Sequence, residues 1–284
     1  MFISPVWALL AGIALGLTKY FYSPPLLGKY RKYTLESAIV LIGFALNFHQ
    51  IITVGSKGIL QTAAGIIVLL IAGMLLSKLF RLEKKIASLI NVGTCICGGS
   101  AIAAVSGVID ANDDEIAVST GVVFILNAVA LFVFPLIWMK MQLTPEVYGT
   151  WCALSIHDTS SVVGAASVND ISLQYATILK LTRTLWIIPL TIMYKFLYKT
   201  KSNSKFPYFI GLFLIASLLS TFLNFDFYKY IAQLGKQLMS PALFMVGYAI
   251  NARTIKKTGG KSIAFGIMLW IISIILGLLI ALNI

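Results

Sequence analysis

Charge is what this sequence has least of. Of its 284 residues only 11% are Asp, Glu, Lys or Arg, and His occurs twice. Soluble domains carry about 25% charged residues, so a soluble globular enzyme and a charge-rich disordered chain are both excluded. Cys occurs three times, at Cys95, Cys97 and Cys152, each inside an apolar stretch. That excludes a secreted disulfide scaffold. Cys95 and Cys97 are two residues apart, poor spacing for one helix face. No metal-ligand cluster, nucleophile motif or phosphate-binding loop is recognisable, so neither a cofactor nor an enzyme is expected. The first apolar run lacks a basic leader, so no cleavable signal peptide is expected.

What is abundant is apolar. The chain is 59% hydrophobic, with mean hydropathy +0.92. A helix needs about 20 apolar residues to cross a bilayer core about 30 Å thick. The charge-poor runs predict an all-α membrane protein of about ten transmembrane helices. These are spans 1 (4–18), 2 (34–54), 3 (58–77), 4 (86–109), 5 (116–139), 6 (147–167), 7 (171–197), 8 (206–223), 9 (230–251) and 10 (262–282). The runs are continuously apolar rather than alternating, which argues against a β-barrel.

The net charge of +12 admits two readings, nucleic-acid binding or the excess of Lys and Arg in cytoplasmic loops. The positions favour the second. Loops after the odd-numbered spans hold 17 basic residues, those after the even-numbered spans hold Lys57, Lys229 and Lys236, and Lys180 and Arg183 lie within span 7. The odd loops are therefore expected in the cytoplasm and both termini outside, with the acidic loop Asp110, Asp113, Asp114 and Glu115 also outside. No nucleic-acid partner is expected; the lipid bilayer is.

Five spans per half suggest two repeats, 1–140 and 146–284, the second inverted, as in many secondary transporters. Their fourth helices are both interrupted near the middle. Span 4 reads Gly93-Thr94-Cys95-Ile96-Cys97-Gly98-Gly99-Ser100, where paired glycines allow a break. Span 9 reads Leu238-Met239-Ser240-Pro241, where Ser is a good N-cap and Pro suits a first helical position. Half-helix N-termini at mid-membrane would present free N–H groups and a positive dipole end to an anion. Gly98, Gly99, Ser100 and Ser240 are thus candidate substrate-binding residues. The plainer alternatives are close helix packing through small residues and a simple proline kink.

Two charged segments lie deep in predicted spans. Lys180 and Arg183 are about 14–18 Å along span 7, on one helix face. His157 and Asp158 lie at similar depth in span 6. A charge at the bilayer centre costs roughly 2.5–3.5 kcal/mol on insertion scales and normally faces a cavity or a partner. Either Asp158 pairs with Lys180 or Arg183 as a structural staple, or the surplus cation helps to accept an anion, with His157 or Asp158 available to couple a proton. Asn47 and Asn127 fit cavity lining or interhelical hydrogen bonding.

Leu41-Ile42-Gly43-Phe44, the run Gly93 to Ala104, Ser155-Ile156-His157-Asp158-Thr159 and Ala176 to Arg183 resemble the bacterial YeiH-like family, named for sulfate export. The resemblance runs in order through nearly the whole chain, although members often carry a further N-terminal helix. It implies a multi-pass carrier of small anions in the bacterial inner membrane, similar in architecture to bile acid:sodium symporters. By that analogy helices 4 and 9 are broken and cross. Helices 1, 2, 6 and 7 then form a panel domain, and helices 3, 4, 5, 8, 9 and 10 a core domain. Lys180 and Arg183 would supply positive potential from the panel side, with Gly98, Gly99, Ser100 and Ser240 on the core side. The expected mechanism is alternating access, with sulfate or a related oxyanion or sulfonate as substrate. The alternative is a sodium- or proton-coupled carrier of a cation or organic solute, centred on Asp158. Dimerisation through the panel is compatible with the sequence.

Overall fold

The computed structural model describes residues 25–45, 47–198, 208–223, 225–248 and 259–283, with a few scattered positions before 19. Span 1 lies essentially outside the described residues. The described elements are all helical. In chain order they are α1 (Pro25–Ile42), a 3-10 turn (Gly43–Ala45), α2 (Phe48–Phe80), α3 (Lys84–Cys95) and α4 (Gly99–Ser106). Then follow α5 (Asp113–Met141), α6 (Pro145–Ser155), α7 (Thr159–Ala166) and α8 (Asp170–Thr184). The last are α9 (Ile187–Tyr198), α10 (Tyr208–Leu223), α11 (Phe227–Tyr248) and α12 (Gly260–Ala281).

Four described segments are long and apolar enough to cross a membrane: Ile51–Phe80, Asp114–Met141, Asp170–Tyr198 and Gly260–Ala281. Their outward faces are apolar, as lipid contact requires; Leu60, Leu79, Met139, Phe196 and Ile275 are all exposed.

The chain divides into two compact units. Unit 1 comprises 1–56 and 207–252, and unit 2 comprises 57–206 and 253–284. Segments 145–166 and 170–198, expected in the panel, group with 84–141 and 260–281, whereas 208–223 and 227–248 group with α1.

In unit 1, α11 packs along α1. A Cβ on Gly235 would lie 2.8 Å from the Leu41 Cβ, so the two helices touch backbone to backbone there. The Phe48 N–H donates to the Thr221 hydroxyl at 2.9 Å. The break expected at Ser240-Pro241 is absent: α11 runs unbroken from Phe227 to Tyr248 with Pro241 inside it. A transmembrane helix tolerates an internal proline when neighbouring groups satisfy the freed carbonyl.

In unit 2 two segments are broken. Span 4 breaks as expected, between α3 and α4, where Gly98 has φ +61°. That conformation favours glycine over any residue with a Cβ. Span 6, expected as a continuous helix, also breaks. Its α6 starts on a Thr144 cap followed by Pro145, and ends at Ser155 where Ile156 is extended.

Neither segment runs straight on after its break; both double back. Lys85 at the start of α3 donates from Nζ to the Asp110 carbonyl at 2.6 Å, beyond the end of α4. The Glu83 carboxyl, next to it, is held above its ordinary range first by a hydrogen bond with Glu115. Likewise Tyr148, near the start of α6, donates its hydroxyl to the Ala165 carbonyl at the end of α7, 2.9 Å away. A Cβ on Gly149 would collide with the Ser172 carbonyl of α8. At 1.5 Å per residue a straight helix would put Lys85 and Asp110 about 38 Å apart. Residues 84–106 and 145–166 are therefore two helical hairpins.

The ten-span expectation is corrected accordingly. Among the described residues, spans 4 and 6 are hairpins rather than crossings, and the second break is at 156–158 rather than at 240–241.

Candidate functional site: the hairpin tips at the middle of α5

Helix α5 sets the frame. It has 29 residues, with Asn127 at its middle, and starts on a reciprocal capping box between Asn112 and Glu115. The first hairpin opens at its N-terminal end, where Ser119 Oγ donates to the Ile86 carbonyl at 3.4 Å. The second opens at its C-terminal end. There Trp138 stacks on Tyr148 with centroids 5.1 Å apart, and Phe134 meets Trp151 at 4.3 Å. The two hairpins thus enter from opposite ends of α5 and their tips meet at its middle.

The tips touch there. A Cβ on Gly98 would lie 3.4 Å from the Asp158 Cβ, and one on Gly99 3.6 Å from the Phe124 ring. The His157 and Asp158 N–H groups both donate to Asn127 Oδ1, at 3.2 and 3.4 Å. Every bound of the second break lies 60 residues after its counterpart: Cys95 and Ser155, Gly99 and Thr159, Ser106 and Ala166. In this register Ile96 matches Ile156 and Ser100 matches Ser160.

The four half-helix ends at the tips differ in sign. The C-terminal ends of α3 and α6 expose carbonyls, and each carries about half a negative charge. Lys180 and Arg183 meet them. Lys180 Nζ donates to the Ile96 and Ile156 carbonyls, each at 2.8 Å. Arg183 donates from Nε to Cys95 at 2.6 Å and from Nη2 to Thr94 at 2.8 Å. Its Nη1 donates to Ala153 and Leu154 at 3.0 and 2.6 Å. Trp270 Nε1 takes the remaining Ser155 carbonyl at 3.1 Å. Both cations are fully enclosed, at 0% and 2% exposure. Hydrogen bonds to charged groups contribute about 1.5–3 kcal/mol each and act against the cost of burying the two side chains.

The N-terminal ends of α4 and α7 are the positive ends. Their N-caps are Gly98 and Asp158, and neither makes a side-chain capping bond. Ser100 is exposed, Gly99 and Asp158 are half-buried, and Ser160 is buried. Ser160 donates its hydroxyl to the Asp158 carboxylate. A site bounded by two helix N-termini can hold an anion on backbone N–H groups. Beside it, His157 and the Asn127 amide are buried, and both imidazole nitrogens and Asn127 Nδ2 lack a hydrogen-bond partner.

The structure therefore brings together Gly98, Gly99, Ser100, His157, Asp158, Lys180 and Arg183. Ser240 belongs to unit 1, inside an unbroken helix. Of the two alternatives, the staple does not form: among the described residues no ion pair joins Asp158 to Lys180 or Arg183, and both side chains serve backbone carbonyls instead. Trp270, Ser155 and Ser160 were not distinguished by sequence reasoning. For Ser160, the signal is the 60-residue register with Ser100.

The family model described as "Conserved hypothetical protein 698" matches residues 2–266. A UPF0324 membrane protein of Bacteroides thetaiotaomicron is 36% identical over 280 residues, 95% of this chain and 84% of that protein. One of Vibrio vulnificus is 40% identical over 279 residues, 95% and 90%. One of Geobacter sulfurreducens is 37% identical over 268 residues, 93% and 86%. No solved structure matches. The chain, a multi-pass membrane protein by its apolar helices and its relatives, belongs to the UPF0324 membrane protein family.

Proposed function

We propose that the protein is a secondary active transporter, not an enzyme. It carries a small anion, sulfate or a related oxyanion or sulfonate, across the bacterial inner membrane by alternating access. The observation that carries this reading is the meeting of the two hairpin tips at the middle of α5. Irregular backbone at mid-membrane depth is tolerated only where it is enclosed by protein or lines a cavity, and paired half-helices of this kind hold transport sites. Gly98, Gly99, Ser100, Asp158 and Ser160 bound the site, and an anion sits on the N-terminal ends of α4 and α7.

The sign of the charge supports an anion. Two cations are held against one carboxylate, while the dipole ends of the four half-helices cancel. The hairpins enter from opposite ends of α5 as an inverted pair, so the one site at their tips can be reached in turn from either side of the membrane. This inverted pair is 84–141 and 145–198 rather than two five-helix halves.

Reading 84–106 and 145–166 as re-entrant moves loop 110–115 to the cytoplasmic side and loop 140–144 outside. The basic residues then divide 16 to 4. The loop that changes to the outside holds Lys140 alone, so the positive-inside bias is kept. The acidic residues of 110–115 then share a side with Lys84 and Lys85, consistent with the Lys85–Asp110 contact.

A second reading, a proton-coupled carrier, is favoured by one observation: the half-buried Asp158 carboxylate stands at the tip. Counterflow of labelled sulfate in proteoliposomes tests the first reading. Saturable exchange supports it. Proton flux without any anion requirement, lost in Asp158→Asn, establishes the second in its place.

A further inference from the structure

Carriers built on broken helices commonly seat their coupling cations on unwound carbonyls and half-helix C-termini. Here those positions already hold positive charge. The C-terminal ends of α3 and α6 converge on two side chains of α8. Lys180 Nζ bridges the Ile96 and Ile156 carbonyls at 2.8 Å each, the same position in each hairpin. The Arg183 fork takes four carbonyls further back in the same two arms, Thr94 and Cys95 on one side, Ala153 and Leu154 on the other.

We infer that the Lys180 ammonium and the Arg183 guanidinium occupy the seats that coupling cations take in such carriers, so that this protein binds and moves its anion without sodium.

The inference rests on the carrier reading above and deepens it. The ammonium of Lys180 is a compact charge with three donors and no acceptor. It thus meets the same requirement for carbonyl oxygen as a bound alkali cation, but on a tether. A loosely held ion could leave and let the tips separate. A cation fixed to α8 keeps both C-terminal ends neutralised at every stage of the cycle. The α3 and α6 arms then move with α8 as one body, and the working ends of the tips are Gly98–Ser100 and Asp158–Ser160.

Removing the ammonium and its stem opens the seat. Lys180→Ala leaves the Ile96 and Ile156 carbonyls facing a space the length of the lost side chain. Lys180→Met removes the charge but fills that space with apolar atoms. The test is thermal unfolding of the purified full chain in NaCl against choline chloride at equal ionic strength, with no flux measured. The wild type is expected to unfold at the same temperature in both salts. Lys180→Ala should show a saturable rise of about 5 °C in NaCl over choline chloride, by linkage of ion binding to folding. Lys180→Met should show no rise. Recovery of Lys180→Ala from NaCl but not from choline chloride counts as the same result.

A saturable sodium-specific rise in the wild type would overturn the inference, as would a folded Lys180→Ala with no response to sodium. If Lys180→Ala is recovered from neither salt, the wild-type titration decides. Failure of anion counterflow would remove the carrier reading and leave these unfolding results intact.

Discussion

Gly98 and Asp158 stand opposite each other as the N-caps of two short helices, so close that a Cβ on Gly98 would be 3.4 Å from that of Asp158. This contact joins two hairpins that enter from opposite ends of α5. It places two positive helix ends side by side in the middle of the unit.

Gly98 has φ +61° and ψ −124°, outside the left-handed helical region, and holding a residue with a Cβ in so sparsely populated a conformation costs about 1–3 kcal/mol. Gly98→Ala is expected to unfold a few degrees lower than the wild type by differential scanning fluorimetry, and to lose anion counterflow by at least about tenfold, since the added Cβ meets Val123 Cγ1 at 3.1 Å and the tip backbone must shift. A variant with the wild-type flux would show that the tip contact is not used.

Re-entrant hairpins make a topological prediction. In a chain with Cys95, Cys97 and Cys152 replaced by Ala, Asn112→Cys should react with an impermeant maleimide from the cytoplasmic side, the side of Lys84. Leu143→Cys should react from the opposite side. The ten-crossing arrangement reverses both, so the labelling distinguishes the two without ambiguity.

Arg183 is predicted to be structural before it is functional. Arg183→Ala leaves the Thr94, Cys95, Ala153 and Leu154 carbonyls without the Arg183 donors, and breaking a buried charged network costs about 3–5 kcal/mol. The expected result is little or no monodisperse protein by size-exclusion chromatography. Arg183→Lys, which keeps the charge but loses the fork, should give partial recovery. Full recovery of the Ala variant would contradict the carbonyl-strut role.

Pro241 lies inside the continuous α11. Pro241→Ala should therefore leave counterflow within about twofold and leave stability unchanged or raised, because Ala is the better helix former. Loss of flux without loss of fold would revive a functional break at Ser240-Pro241.

The sequence made some of this legible and hid the rest, for physical reasons. The break at Gly98 is visible because only glycine sits easily at positive φ. The charges at 157–158 and 180–183 are visible because an apolar run makes them conspicuous. The hairpin geometry is not visible. A re-entrant segment such as 84–106, with arms of 12 and 8 residues, contains as many apolar residues as a crossing helix and differs only in turning back. The second break has no glycine: Ile156 is extended and Asp158 caps the next helix, a pattern that charge depth alone reads as a helix interior. Ser240-Pro241 misleads in the opposite direction, since proline within a transmembrane helix is tolerated. Lys140 is the residue that held the information: it is the one basic residue of its loop, where the other loops assigned to the cytoplasm hold four each.

The central claim is that a small anion binds at the N-terminal ends of α4 and α7, and Ser100, exposed at the first of these, allows a direct test. With the three native cysteines replaced by Ala, Ser100→Cys provides a single thiol at the site, whose rate of modification by an anionic methanethiosulfonate reagent can be followed with increasing sulfate at constant ionic strength. Saturable protection by sulfate, or by the oxyanion or sulfonate that exchanges in counterflow, is the expected result, with no protection by choline chloride. An unchanged rate at saturating concentrations of every exchanged anion would contradict the claim.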